Sequence, residues 1–420
     1  MKRNRTRWAI IAWIGLCIAA GEPAKGQPTF SIDWQSPSVG IPNSFTALPI
    51  SPMDILTAPL PGPFGPNPPA LGPLPPPGTF IPGGPPGIGL GIGTYPFGEV
   101  DALSYGTEPI LTPLTPDIWQ FSVDEFAAGI FGTPLPPAVW TEGAFGATEA
   151  SADVFMSLPF PMAAGGVLCP PPGGVIVPGG NTGIMDGNGL PVPSAFVYPG
   201  TGLIEPNFPI PGLPDLGDNL DAVDMDSTMG AAGLVYYSLD SGFPDPVEFA
   251  PGLASAAANG FVGGDVLVSA IGGPPALYAP AIALGLDLAG PDTDDLDALV
   301  LAESGDGIYT PSAIPYDWAA AGSITDMLLF SVRRGSAIIG ALDALCGAPI
   351  EEGDILTVTA GGVGIFRAAE WLGLATARSG FPTFIPGIGD ELDALDVIPE
   401  PGTTTFLAMS SLVFLVRRRK

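Results

Sequence analysis

Carboxylates are the side chains that this sequence holds in quantity and that could do chemistry. They crowd at three places: Asp218, Asp221, Asp224 and Asp226; Asp292, Asp294, Asp295 and Asp297; and Asp390, Glu391, Asp393 and Asp396. Hard cations take several oxygen ligands delivered from a turn, so calcium is the ion such clusters would suit. The candidate ligands are Asp221 with Asp224, Asp294 with Asp297, and Asp393 with Asp396. None follows the spaced Asp-x-Asp-x-Asp-Gly loop with a closing Glu. The same aspartates have a plainer reading, in which each accepts backbone N–H groups at the entry to a strand. Two carboxylates also suffice for glycoside hydrolysis when one is kept protonated, but with 42 acidic residues some pair must fall close together by chance.

Other chemistries lack their residues. The chain has no histidine, which removes the commonest general base, the Ser-His-Asp and Cys-His arrangements and most catalytic zinc sites. It has no Gly-x-Ser-x-Gly elbow and no Gly-x-x-x-x-Gly-Lys phosphate loop. Trp34, Trp119, Trp140, Trp318 and Trp371 could stack on sugar rings or plug a β interior. Arg333 and Arg334 replace the Asp and the following residue of the other aromatic-Ser segments, and neutralising nearby carboxylates is their expected task. Cys169 and Cys346 could pair in an oxidising compartment; the alternative is two separate thiols. No cofactor is expected, with calcium the one candidate.

The elements that would position these groups recur four times. An aromatic-Ser segment appears as FSIDWQS at Phe30, FSVDEFA at Phe121, YSLDSG at Tyr237 and FSVRRGS at Phe330. A second segment carries Asp54, Asp153, Asp265 and Asp354, each followed by apolar and β-branched residues. A weaker Gly-Leu segment ends at Leu90, Leu203, Leu286 and Leu374, and a fourth centres on Asp101, Asp221, Asp297 and Asp393. The approximate repeats are 28–106, 118–226, 233–302 and 326–398. Ser31 to Asp54 and Ser331 to Asp354 are equally spaced, as are Leu90 to Asp101 and Leu286 to Asp297. Extra length falls in Pro/Gly runs between the second and third segments, where loops tolerate insertion.

Three of the segments read as short strands bounded by Gly, Pro or Asp. Frequent proline argues against long helices; AIIGALDALC near Ile338 and FRAAEWLGLA near Phe366 are the helix-like stretches, and either could be a strand with a turn. An all-β fold is expected, a small β-propeller first, with a β-sandwich or other β-repeat array as the alternative. The 59 Gly and 53 Pro place the chain at the edge of low complexity, but 46% hydrophobic residues can supply a core.

The charge is lopsided. Nine of the 13 basic residues lie before Gln27 or after Val416, leaving Arg333, Arg334, Arg367 and Arg378 against 41 acids, a formal charge near −37. Nucleic acid is thereby excluded as a partner of this region. Cations, basic proteins and neutral sugars remain open.

The two ends read as addresses. Lys2, Arg3, Arg5 and Arg7 precede an apolar run from Trp8 to Ala20, and Ala24-Lys25-Gly26 before Gln27 fits a cleavage site, so 1–26 is expected to be a signal peptide routed through the Sec translocon. At the other end, Pro399-Glu400-Pro401 is followed by an apolar stretch from Thr403 to Val416 and by Arg417, Arg418, Arg419 and Lys420. Motif, spacing and position resemble the PEP-CTERM sorting signal of Gram-negative bacteria that make exopolysaccharide. The resemblance spans 399–420 and implies recognition by an exosortase-like membrane enzyme that removes the tail. The Phe-Ser-Val-Asp and Asp-Ala-Leu segments also look like a repeat of other exported proteins of this kind, which carries no assigned activity. A domain over 27–398 is therefore expected to be exported, tethered at the inner membrane through its tail, then placed at the cell surface or outside the cell. The expected role is structural or adhesive rather than enzymatic, with exopolysaccharide a candidate partner. The alternatives are a calcium- or carbohydrate-binding module and, third, a glycoside hydrolase.

Overall fold

The computed structural model describes residues 26–399 except 61–66, 71–73, 85–88, 94–97, 105–118, 132–135, 144–147, 158–179, 193, 206–216, 226–232, 241–257, 271, 305, 313–324 and 381–387. The signal-peptide stretch, the sorting tail beyond Pro399, Cys169 and Trp318 lie outside the described residues.

The chain forms a four-bladed β-propeller. In chain order, β1 (Gly26–Phe30), β2 (Ile55–Thr57) and β3 (Gly78–Ile81) precede β4 (Ala102–Ser104), β5 (Gln120–Ser122), β6 (Val154–Ser157) and β7 (Asn181–Met185); β8 (Ala222–Met225), β9 (Leu234–Ser238), β10 (Val266–Ala270) and β11 (Ala276–Ala279) follow. The last strands are β12 (Leu296–Ala302), β13 (Met327–Val332), β14 (Ile355–Thr359), β15 (Gly362–Arg367) and β16 (Leu395–Pro399). The sheets run β16-β1-β2-β3, β4-β5-β6-β7, β8-β9-β10-β11 and β12-β13-β14-β15, all antiparallel. We number the blades in that order.

The sequence repeat and the blade are offset by one strand. The fourth segment of each repeat supplies the innermost strand of the next blade, and β4, β8, β12 and β16 pack together around the axis. The last of these, β16, returns to pair with β1, Gln27 opposite Ile398 and Phe30 opposite Leu395. Strands from the two ends of the domain thus close the ring, the first blade taking its innermost strand from the far end of the chain.

Each blade buries both faces against neighbours, which is why apolar residues of one strand point to both sides instead of alternating with exposed polar ones. Along β13, Leu328, Phe330 and Val332 pack toward the third blade with Tyr236 and Val266, while Met327 and Leu329 pack toward the first with Phe30 and Leu56. Phe121 and Phe155 fill the layer between the first and second blades beside Ile55 and Phe80. Val154, Val235 and Tyr237 fill the layer between the second and third.

The outermost strands β3, β7, β11 and β15 arise where the sequence shows insertions and no recurring motif. The Gly-Leu segments are not strands. Leu90, Leu203, Leu286 and Leu374 are buried plugs whose N–H groups bond carbonyls just beyond each outer strand, at Pro82, Gly187, Ala281 and Ala369. Of the two helix-like stretches, 338–346 is a series of turns, and the other is β15 followed by the single 3-10 turn Ala369–Leu372.

Candidate metal centre on the propeller axis

The four innermost strands enter the axis with an acid each: Asp101, Asp221, Asp297 and Asp393. All four are at least nine-tenths buried. Two residues earlier in each strand entry stand Glu99, Asn219, Asp295 and Glu391. Beside them, from the ends of the second strands, come Asp33, Asp124, Asp240 and Arg333. The fold therefore converts three positions of a linear repeat into three four-membered polar layers at one end of the axis. Serine buttresses hold the entries in place: Ser31, Ser238 and Ser331 donate to the carbonyls of Val100, Leu296 and Leu392, each the residue before an axial aspartate.

Two guanidinium groups answer this charge. Arg333 Nη1 lies 3.3 Å from Asp240 Oδ1 and 3.4 Å from Asp295 Oδ2. Arg334 Nη2 lies 3.2 Å from Asp33 Oδ1 and 3.0 Å from Glu391 Oε2. Both arginines do what the sequence suggested, neutralising carboxylates inside the molecule. They are too few. One oxygen of each of Asp221, Asp297 and Asp393 is buried with no hydrogen-bond partner among the described residues. Burial, reinforced by the neighbouring acids, pushes these three carboxyls and Asp124 well above the usual carboxylate range. Carboxylate oxygens of Asp221, Asp240 and Asp295 lie within 4.8 Å of one another. At that distance two like charges repel by about 3 kcal/mol at an effective dielectric of about 20. Two oxygens bound to one calcium ion sit at most about 5 Å apart, which is the spacing of this trio, but Arg333 already pairs with two of its members, Asp240 and Asp295.

No family model, curated protein or solved structure matches the chain. The functional reading therefore rests on the site itself.

The six calcium candidates divide evenly. Asp221, Asp297 and Asp393 reach the axis, where Asp101, absent from that set, joins them. Asp294 instead accepts the N–H groups of Asp287 and Ile338. Asp224 accepts the N–H of Leu301 in the next inner strand, and Asp396 that of Val397. These three are occupied by backbone. Sequence reasoning grouped the acids by proximity along the chain, whereas the ring groups them by equivalent position; the recurring Asp-Ala-hydrophobic motif was the signal that could have found Asp101.

The second-segment aspartates follow the capping role. Each accepts an N–H from just past the outer strand: Gly83 to Asp54, Gly187 to Asp153, Ala281 to Asp265 and Ala369 to Asp354, all at 2.8 to 2.9 Å. They tie the outer strand back to the entry of its neighbour, and we call them hubs. Among the tryptophans, Trp119 is fully buried and Trp371 packs on the core, while Trp140 meets the exposed Phe131 edge to face at 4.9 Å. Cys346 is exposed, its sulfur 2.9 Å from Asp343 Oδ2.

Proposed function

We propose that this chain is a non-catalytic, exported scaffold or binding module of the cell surface, whose ring is clamped by a hard divalent cation of the calcium class on its axis. The observation that carries the cation is the set of buried, unpartnered carboxylate oxygens on Asp221, Asp297 and Asp393. A divalent ion there would draw together strands from different blades and replace the repulsion that otherwise opposes closure. The same burial argues against hydrolysis at this centre, because a general acid or base must touch its substrate. Arg333, Arg334, Arg367 and Arg378 all turn inward. The outer surface between Gln27 and Ile398 is thus left without a basic side chain, and the partners that suit it are cations and neutral glycans.

Export rests on the two ends. In this reading Pro399, Glu400 and Pro401, with Arg417, Arg418 and Arg419, hand the chain to an exosortase-like enzyme after passage through the Sec translocon. Among the described residues no helix is long and apolar enough to cross a membrane, and the apolar stretch Thr403–Val416 lies outside them. The closure strand β16 ends at Pro399, so the processing motif would begin at the last residue of the strand that completes the ring.

The test is co-sedimentation of the protein with the producing cell's exopolysaccharide, in calcium and in EDTA, beside thermal melting under the same conditions. A melting temperature raised by calcium and lowered in Asp297→Asn supports the clamp, and calcium-dependent binding supports the matrix role. A melting curve indifferent to calcium would sink the clamp.

A further inference from the structure

The hub of the second blade holds more negative charge than any capping role needs. Around Asp153, which is 1% exposed, stand Asp186 and Glu205, with one carboxylate oxygen of each of the three within 4.8 Å of the others. Glu142 and Glu149 add their charge to the same group. Glu149 is 2% exposed, and its Oε1 is buried with no hydrogen-bond partner; Glu205 Oε1 is buried and unpartnered in the same way. Gly187 lets Glu205 approach, since a Cβ there would meet Glu205 Oε1 at 2.3 Å.

The fourth blade shows what this position takes. Its hub, Asp354, is met by Glu351 and Glu370, and Arg378 fills the centre: Nη2 is 2.5 Å from Asp354 Oδ1, and Nε is 3.1 Å from Glu370 Oε1 and 3.5 Å from Glu351 Oε1. Arg378 lies four residues after the Gly-Leu plug Leu374; in the second blade the segment after Leu203 delivers the acid Glu205. Among the described residues no basic side chain reaches the second hub.

We propose that the Asp153–Asp186–Glu205 hub binds a divalent cation of the calcium class, in the place that Arg378 fills in the fourth blade. Every donor is an oxygen, which selects hard ions over zinc or copper. The spacing fits oxygens about 2.3 to 2.6 Å from one ion. Asp153 and Asp186 are already oriented, by the N–H of Gly187 and the Tyr198 hydroxyl for the first, and by Asn188 and Gly189 for the second. This site is separate from the axial one and stands or falls without it.

Tyr198, 2.7 Å from Asp153 Oδ2, offers a direct readout because it can sensitise terbium luminescence. The full chain is titrated with terbium and with calcium, following tyrosine-excited emission and, by calorimetry, stoichiometry. Binding is expected at this hub with emission displaced by excess calcium. Glu205→Gln should weaken that class of sites at least tenfold and leave the axial class intact, whereas Asp297→Asn should do the reverse. Tyr198→Phe should keep the stoichiometry and lose most of the emission. The proposal is overturned if Glu205→Gln leaves stoichiometry and affinity unchanged, or if emission persists undiminished in Tyr198→Phe.

Discussion

The second and fourth blades start from the same repeat and arrive at opposite electrostatic solutions. In both, a fully buried aspartate ties the outer strand to the blade, and in both it is surrounded by further acids. The fourth blade answers with Arg378, which forms ion pairs with Glu351, Asp354 and Glu370 and also bonds the Pro349 carbonyl. The second blade answers with backbone N–H groups and a tyrosine hydroxyl, which are dipoles and leave the net charge in place. There burial, with the neighbouring acids, pushes Glu149 up to about 7 and Glu205 to about 12. The lesson is that the capping geometry of a repeat is separable from its charge balance. Geometry is carried by the recurring Asp, charge by the segment after the Gly-Leu plug, where Arg378 lies four residues past Leu374 and Glu205 two past Leu203.

The largest test of that separation is Arg378→Gln. It leaves three buried acids without their cation and should cost about 3–5 kcal/mol, read as a lower urea midpoint with an unchanged slope. An effect under about 1 kcal/mol would mean that the hub carboxyls are already protonated beside Arg378. Next comes the transplant Glu205→Arg, which puts a guanidinium in place of a carboxyl among the remaining acids. The metal-free protein should gain on the order of 2 kcal/mol, and this hub should lose its response to calcium.

Acidification should act as a weaker substitute for the missing cation. A carboxyl whose pKa is raised on folding holds its proton more tightly in the folded state. The stability it contributes is full below the unfolded value near 4.5 and is lost as pH rises through about 7 for Glu149. Asp54 and Asp390, raised to about 6, act in the same sense. The chelated protein should therefore melt higher at pH 5.5 than at pH 8, by on the order of 5 °C, and saturating calcium should flatten the difference. A melting temperature that climbs toward pH 8 in EDTA would contradict the charge imbalance itself. The smallest expected effect is Thr376→Val, which removes the hydroxyl that donates to Glu370 Oε1 at 2.8 Å and accepts from the Ser379 N–H at 3.0 Å, and should cost about 1–2 kcal/mol in the fourth blade alone.

Much of the architecture was legible before any coordinates. Four recurrences of an aromatic-Ser segment, of the second-segment Asp and of Asp-Ala-hydrophobic located three strands for every blade, though not the offset that hands the last of them to the next blade, because each motif is fixed by a local need: a serine buttress, an aspartate cap, a strand buried on both faces. The outer strands β3, β7, β11 and β15 were not legible. At the rim they contact fewer neighbours, so GTFI, NTGIM, ALYA and GVGIFR share no pattern.

The sequence by itself determined the class of fold, the absence of histidine chemistry, the surplus of acids and the arginine pair, Arg333 and Arg334, that breaks the Asp of the repeat. Only the tertiary structure decided which acids share a site. Asp101, Asp221, Asp297 and Asp393 lie far apart along the chain, and closure of β16 on β1 is what sets them around one axis. Asp153, Asp186 and Glu205 likewise meet because a strand, a turn and a returning loop are folded over one hub. Charge falls off with distance in space, and the chain records only distance along itself.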